Sequence, residues 1–125
     1  MDKPNSNKKT LIIGASLKAN RYSNKAIHSL VLNKIPTLAI GLREGNVAGV
    51  KIETKQVIYT DIHTITLYLN PGRQKDYYQY ILSLKPKRVI FNSKTENPEL
   101  MSLLDENKIA YEIACTLTLL SIEQF

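Results

Sequence analysis

Small, polar and basic residues that follow an early apolar run could bind an anion. The segment reads LIIGASLKANRYSNKAI over residues 11–27. Gly14, which has no side chain, lets an anion approach the backbone closely, and Ser16 offers a hydroxyl. Lys18 and Arg21 add positive charge just before an expected helix, whose first amides also attract anions. The pattern favours phosphate binding over an ordinary strand-to-helix turn.

A second cation follows the next apolar run. Arg43 and Glu44 come directly after residues 37–42. An acidic residue here suits the free ribose hydroxyls of NAD, whereas an Arg suits a phosphate on the ribose. The first loop also lacks the G-x-G-x-x-G fingerprint of NAD-binding domains. These residues favour a ligand with several phosphates, and both NADP and coenzyme A (CoA) fit that description.

Short apolar runs rich in branched residues predict the strands that position these loops. They are TLIIGA (10–15), TLAIGL (37–42), TITLYLN (64–70), RVIFN (88–92) and AYEIAC (110–115). The stretch 43–60 is expected to hold one more short strand, at VKIE or at VIYT. Since helical patterns separate the runs, we predict a doubly wound, three-layer α/β fold with a mostly parallel sheet of about five or six strands. Such sheets bind ligands beyond the carboxyl ends of their strands.

Caps and apolar spacing place the helices. Ser23 is the expected N-cap of the first helix. The spacing of apolar residues from Tyr77 to Leu84 predicts another, and Asn97 followed by Pro98 predicts the cap and first turn of a third. TLTLLSIEQF, at the end of the chain, predicts a last helix.

Composition limits the class of protein. The 125 residues suit one domain, 1–125, with a mobile tail at 1–9. The net charge of +6 favours an anionic partner, but the basic residues are scattered, so nucleic acid is not expected. No segment approaches the roughly 20 apolar residues of a membrane helix, so no membrane partner is expected. A single cysteine excludes an internal disulfide and suits the cytoplasm.

Four segments resemble the small, single-domain CoA-binding proteins, which are free-standing relatives of the CoA-binding domain of the succinyl-CoA synthetase α subunit. They are GASLKANRYSNKAI, TLYLNPGRQKDYYQYI, RVIFNSKTENPEL and ACTLTLLSIEQF, in collinear order within residues 9–125. The resemblance implies a Rossmann-like fold with CoA, free or as acyl-CoA, across the strand ends.

The resemblance also implies roles for individual motifs. GAS would face the pyrophosphate, RYS would begin the helix, and the first NP would lie beside the pantetheine arm. Together with the cations above, the candidate cofactor-binding residues are Gly14, Ala15, Ser16, Lys18, Arg21, Tyr22, Ser23, Arg43, Asn70 and Pro71.

No catalytic or metal-binding set emerges from the spacing of reactive residues. His28 and His63 are far apart and have no companion at metal-ligand spacing. Cys115, at the end of the last predicted strand, could exchange with the CoA thiol, but we expect it to be a small buried side chain.

We therefore expect a CoA or acyl-CoA binding module that acts as a carrier, sensor or regulatory subunit, without a reaction of its own. Two alternatives stay open. The first is an NADP-linked or acyl-CoA-dependent enzyme, the latter using Cys115. The second is an interaction protein that has lost the ligand, which Gly41-Leu42-Arg43 supports, because relatives often carry Asn-Pro there. A homo-oligomer also remains open.

Overall fold

The computed structural model describes residues 7–125, in which seven strands form one sheet. They are β1 Thr10–Ala15, β2 Thr37–Gly41, β3 Gly45–Val47, β4 Val50–Glu53, β5 Thr64–Leu67, β6 Arg88–Phe91 and β7 Ala110–Ile113. Their order across the sheet is β3-β4-β2-β1-β5-β6-β7. Neighbouring strands are parallel except β3 and β4, which form an antiparallel hairpin. The strand order therefore reverses between β1 and β5, where ligands of such sheets bind.

The helices lie between strands, except the last one, which follows β7. They are α1 Tyr22–Leu32, α2 Pro71–Gln74, α3 Tyr78–Leu84, α4 Pro98–Glu106 and α5 Thr116–Ser121. A 3₁₀ turn, Lys75–Tyr77, joins α2 to α3.

Side chains alternate between the two faces of the sheet, as the pleat requires. Leu11 and Ile13 of β1 pack in the cluster that includes the apolar residues of α3 and α4. Ile12, between them, packs in the cluster with α1 and α5. Because both faces are covered by helices, the strands are almost continuously apolar. The predicted three-layer, doubly wound α/β fold is confirmed.

The predicted number of strands was slightly low, since the sheet has seven. Of the two candidates in the stretch 43–60, VKIE forms β4, whereas VIYT lies outside the strands. The added strand is β3, whose three residues include Gly45 and Asn46 and so present no apolar run. It forms because a tight turn at Ala48 and Gly49 folds it back onto β4.

The cap predicted for α4 is confirmed, and the one predicted for α1 is wrong. Asn97 accepts hydrogen bonds from the amides of Glu99 and Leu100, with Pro98 in the first turn. Helix α1, however, begins at Tyr22 with Arg21 in the extended N-cap conformation, so Ser23 lies inside the first turn.

Both edges of the sheet are short strands. β3 has three residues, and its exposed side chain is Asn46. β7 has four and is partly exposed along its length, with Ile113 60% exposed. The Glu112 carboxylate of β7 lies 3.6 Å from the guanidinium of Arg88 on β6.

Residues 1–6 of the predicted tail lie outside the described part of the chain. At the end of that tail, Lys8 Nζ donates to the Phe125 carbonyl at 2.6 Å and Lys9 Nζ donates to the Thr60 carbonyl at 2.9 Å. Within residues 7–125, none of the helices has the length and apolar character needed to cross a membrane.

Candidate ligand-binding site at the carboxyl edge of the sheet

At Gly14, the backbone of β1 lies close to the backbone that follows β5. Its φ is +98°, and an added Cβ would lie 2.9 Å from the carbonyl carbon of Tyr68 and 3.0 Å from the amide nitrogen of Leu69. Side chains rarely adopt this backbone conformation, and here one would also meet backbone atoms. Gly14 is therefore required by the junction of β1 with the end of β5, whatever the ligand.

The first loop is held by two polar contacts. The Ser16 hydroxyl accepts a hydrogen bond from the Lys18 amide at 3.1 Å. Asn24, which is 4% exposed, donates from its side-chain amide to the Ser16 carbonyl at 2.9 Å. Sequence analysis missed Asn24. The available signal was a polar residue on the apolar face of α1, three positions before Ile27.

The amino terminus of α1 is open to a ligand. Arg21 makes no capping hydrogen bond with its side chain, and the first turn contains no acidic residue. The amides of this turn and the helix dipole therefore favour an anion. Lys18, Arg21 and Tyr22 are exposed beside it, and the Lys25 ammonium lies 5.4 Å from the centre of the Tyr22 ring.

Not all predicted residues of this loop expose their side chains. Ala15 is 8% and Ser23 is 5% exposed. Either residue would therefore meet a ligand through its backbone rather than through its side chain.

The loop after β2 adjoins the first loop and carries Arg43. The Leu17 side chain covers Gly45, where an added Cβ would lie 2.9 Å from its Cδ1 atom. Arg43 is exposed. In the described part of the chain, the ion pairs do not involve Lys18, Arg21 or Arg43. These three cations are therefore available to an anionic ligand.

Asn70 and Pro71, predicted to lie beside a ligand, begin the short helix α2. The Asn70 side-chain oxygen accepts from the Arg73 amide at 3.0 Å, and Pro71 takes the first helical position. Asn70 is exposed at the carboxyl edge, so it can cap the helix and still face a ligand.

A buried amide side chain ties together the ends of β5, β6 and β7. Asn92 donates to the Thr66 hydroxyl at 2.7 Å and to the Leu67 carbonyl at 2.9 Å. Its oxygen accepts from the Thr116 amide at 2.9 Å. The Thr66 and Thr116 hydroxyls are themselves 2.8 Å apart. Asn92 thus fixes the first residue of α5 relative to two strands.

Gln74 and Asn97 hold the two loops beyond β5 and β6. Gln74, fully buried, donates to the carbonyls of Leu69 and Thr95, each at 2.8 Å. Asn97 donates to the Gln74 side-chain oxygen at 2.9 Å and to the Tyr78 hydroxyl at 2.8 Å. Apart from the capping role of Asn97, sequence analysis missed these amide contacts, because the partners lie far apart in the chain.

A cavity of about 310 Å³ opens at the ends of β5, β6 and β7. It is lined by Tyr22, Tyr68, Asn92, Ser93, Cys115 and Leu117. Burial raises the pKa of the Tyr68 hydroxyl to about 12, so this phenol is protonated at neutral pH.

Cys115 was expected to be buried, and that expectation is wrong. The thiol is exposed, because β7 is an edge strand and Cys115 follows its end. A hydrogen bond from the Thr118 side chain lowers the pKa of the Cys115 thiol, and the amides of Thr118 and Leu117 add to this effect. These hydrogen bonds all come from residues of α5, so the lowered pKa of the thiol does not depend on a neighbouring Lys, Arg or His.

Among residues 7–125, no group of three or more His, Cys, Asp and Glu side chains could hold a metal ion. Burial, followed by the charges of Arg88, Lys8 and Lys87, lowers the pKa of His63. His63 precedes β5 and lies at the amino edge, away from the loops described above.

The fold and the open loops at its carboxyl edge define a Rossmann-like α/β domain. The chain belongs to the CoA binding domain family, whose model matches residues 8–121. Among curated proteins, no sequence matches it significantly.

Solved structures support the same fold. The crystal structure of an uncharacterized protein is 46% identical, with a TM-score of 0.91, over 94% of this chain and 98% of that one. The cell-free ID.343 protein of Thermus thermophilus is 19% identical, with a TM-score of 0.81, over 96% of this chain and 92% of that one. PH1109 redesigned for binding, named Prb, is 19% identical, with a TM-score of 0.80, over 94% and 85%.

Proposed function

We propose that the chain binds CoA, free or as an acyl thioester, across the carboxyl edge of its sheet. Membership of the CoA binding domain family is the observation that carries this proposal. The donor set fits the ligand, because CoA combines a pyrophosphate and a ribose phosphate with a long, uncharged arm. The carboxyl edge offers open amides and cations on one side and a neutral cavity on the other.

The first loop is proposed to hold the pyrophosphate. The open first turn of α1 would contribute amides and the helix dipole, and Lys18 and Arg21 would contribute charge-assisted hydrogen bonds. Gly14, Ala15 and Ser16 would present their backbone to the same group. The backbone amides of Tyr22 and Ser23, in the first turn of α1, would complete this part of the site, while the Tyr22 ring lines the neighbouring cavity.

Arg43 is proposed to bind the ribose phosphate. Its loop adjoins the first loop through the contact of Leu17 with Gly45, so both can face one ligand. An Arg can grip a phosphate with two parallel hydrogen bonds. Asn70 and Pro71, at the end of β5, would lie along the pantetheine arm.

The role that we propose is that of a binding module, which acts as a carrier, sensor or regulatory subunit rather than as an enzyme. The chain is proposed to work as one domain in the reducing cytoplasm, where its exposed thiol would stay reduced.

Calorimetry and thermal shift with CoA, dephospho-CoA, NAD and NADP test the proposal. A ligand at about 100 times its dissociation constant should raise the free energy of unfolding by about 2.7 kcal/mol. We expect CoA to stabilise the protein more than NAD or NADP does. Equal or stronger stabilisation by either dinucleotide would contradict the proposal.

A thiol-dependent reaction is a second candidate, favoured by the exposed Cys115 with its lowered pKa. In this case the thiolate would attack an acyl-CoA thioester, take the acyl group and release CoA as the thiolate. Intact mass after incubation with acetyl-CoA distinguishes the two functions. An acetyl adduct that is lost in Cys115→Ala supports this reaction, and an unchanged mass excludes it.

A further inference from the structure

The carboxyl edge of the sheet changes character from one side to the other. The cations that we assign to phosphates follow β1 and β2. The cavity opens at the ends of β5, β6 and β7 and extends to Tyr22 of α1, and its lining residues include no Lys, Arg, Asp or Glu. Its lining therefore supplies no charged side chain to a phosphate and suits an uncharged group.

The spacing of the strands relates the two regions to the length of the CoA arm. Neighbouring strands lie about 4.8 Å apart, and β5, β6 and β7 lie one to three intervals from β1, so their ends lie roughly 5–14 Å from the end of β1. The pantetheine arm has about twelve bonds from phosphate oxygen to sulfur, as many as about four extended residues, or roughly 14 Å. An extended arm that starts at the first loop can thus deliver its sulfur to the cavity.

The walls of the cavity fit a short apolar chain. Tyr22 and Tyr68 supply aromatic rings, and Leu117 supplies an aliphatic side chain. The Asn92 amide is already engaged with Thr66, Leu67 and Thr116, so it adds no free polar group to the wall.

The size of the cavity limits the length of the chain. One non-hydrogen atom of a packed ligand takes about 20–30 Å³, close to the share of a water molecule in the liquid. The volume of about 310 Å³ thus holds about 10–15 such atoms. The end of the arm, with its sulfur and an acyl group of about four carbons, fills that space.

We propose that this cavity receives the thioester end of acyl-CoA and selects short, uncharged acyl groups. This inference rests on the proposed binding of CoA and adds the chemical class of the acyl group. Ser93, exposed at the cavity, has a hydroxyl that can donate to the thioester carbonyl. Cys115 is exposed beside it and reports whether the cavity is filled.

Calorimetry with acetyl-CoA, butyryl-CoA and succinyl-CoA tests the inference on the unmodified protein. Butyryl-CoA should bind about tenfold more tightly than acetyl-CoA, because its two further methylenes become buried. Succinyl-CoA has the same chain length as butyryl-CoA but ends in a carboxylate, so it should bind at least tenfold more weakly than butyryl-CoA. Similar affinities for all three thioesters would overturn the inference and leave the binding of CoA intact.

Alkylation of the single cysteine gives a second readout. Saturating butyryl-CoA should slow the reaction of Cys115 with iodoacetamide at least tenfold, as followed by intact mass. Adenosine 3′,5′-bisphosphate, which carries the head without the arm, should leave the rate unchanged. Equal protection by the two ligands would contradict the inference. An unchanged alkylation rate when butyryl-CoA is bound would contradict it as well.

A matched pair of variants locates the effect. Leu117 and Leu119 of the same helix are both partly buried and pack against the same core cluster, but only Leu117 is among the residues that line the cavity. Leu117→Phe should remove the preference for butyryl-CoA over acetyl-CoA, and Leu119→Phe should keep it. An unchanged preference in folded Leu117→Phe would overturn the inference. If wild-type protein binds neither CoA nor any thioester, the proposed function itself fails.

Discussion

The two halves of the carboxyl edge are built differently. The half that we propose to bind phosphates, called the phosphate half, consists of residues 14–23 and 41–46 at the ends of β1 and β2. The half that we propose to bind the acyl group, called the acyl half, consists of residues 68–74, 92–97 and 115–117. In the phosphate half the cations are exposed, and one buried amide side chain, Asn24, holds the first loop. In the acyl half three buried amides, Asn92, Gln74 and Asn97, hold the segments together.

This difference matches the two parts of the ligand that we propose. A charged group is recognised by cations and amides that keep their contact with water until the ligand arrives. A neutral group is recognised by a cavity of fixed shape, and that shape has to be maintained without the ligand. The buried amides of the acyl half maintain it.

The largest effect is expected from removing the central amide of the acyl half. Asn92→Leu keeps a similar volume but leaves the Thr116 amide and the Leu67 carbonyl without this partner, whereas the Thr66 hydroxyl keeps the Thr116 hydroxyl as its partner. Each unsatisfied buried group costs about 1–3 kcal/mol, so for these two groups urea unfolding should show a loss of about 2–6 kcal/mol.

Asn20→Leu is the matched control in the phosphate half, because Asn20 is exposed. Its effect on the free energy of unfolding should stay within about 0.5 kcal/mol. Similar losses of unfolding free energy in the two variants would show that the acyl half does not depend on its buried amide more than the phosphate half depends on an exposed one.

Gly14→Ala tests the boundary between the two halves, where β1 packs against the end of β5. The new Cβ would combine an unfavourable φ with contact against the Tyr68 and Leu69 backbone. We expect a loss of about 2–4 kcal/mol in urea unfolding. Gly49→Ala has a similar φ of +83° but nothing within 4 Å, so it should cost only about 1–2 kcal/mol. Equal losses would show that crowding at Gly14 is unimportant.

Arg43→Ala gives the smallest effect and acts on affinity. Calorimetry should show CoA binding weakened by roughly tenfold, with dephospho-CoA little affected, if Arg43 contacts the ribose phosphate. Lys87→Ala removes the same charge on the opposite edge and should leave CoA affinity unchanged. An equal loss of affinity for both ligands would indicate that Arg43 contacts the pyrophosphate. Unchanged affinity for both would show that Arg43 does not contact the ligand.

Local patterns were sufficient for most of the fold. The apolar run of β1 and the pair Asn97-Pro98 give the same element boundaries in the sequence and in the structure. A buried parallel strand is encoded by neighbouring residues, and so is a helix cap, because both depend on contacts within a few positions. Asn70 and Pro71 show the same capping pattern at α2. The sequence analysis assigned them only a ligand-binding role, which the family resemblance implied.

Properties that depend on distant parts of the chain could not be predicted. The exposure of Cys115 follows from β7 being the edge of the sheet, and the order of strands is set by packing. The contacts of Asn92 join residues 24–26 positions apart. The start of α1 at Tyr22 rather than after Ser23 depends on which side chains turn inward to the core.

The short edge strands have a consequence for self-association. An exposed strand edge is a template onto which another chain can add by backbone hydrogen bonding, which leads to aggregates. Here β3 has three residues, with Gly45 and Asn46 among them, and β7 has four, with the carboxylate of Glu112 in its centre. A short template gives few hydrogen bonds, and two antiparallel copies of β7 would bring like charges together. The sheet thus ends at both sides in strands that resist extension into fibrils.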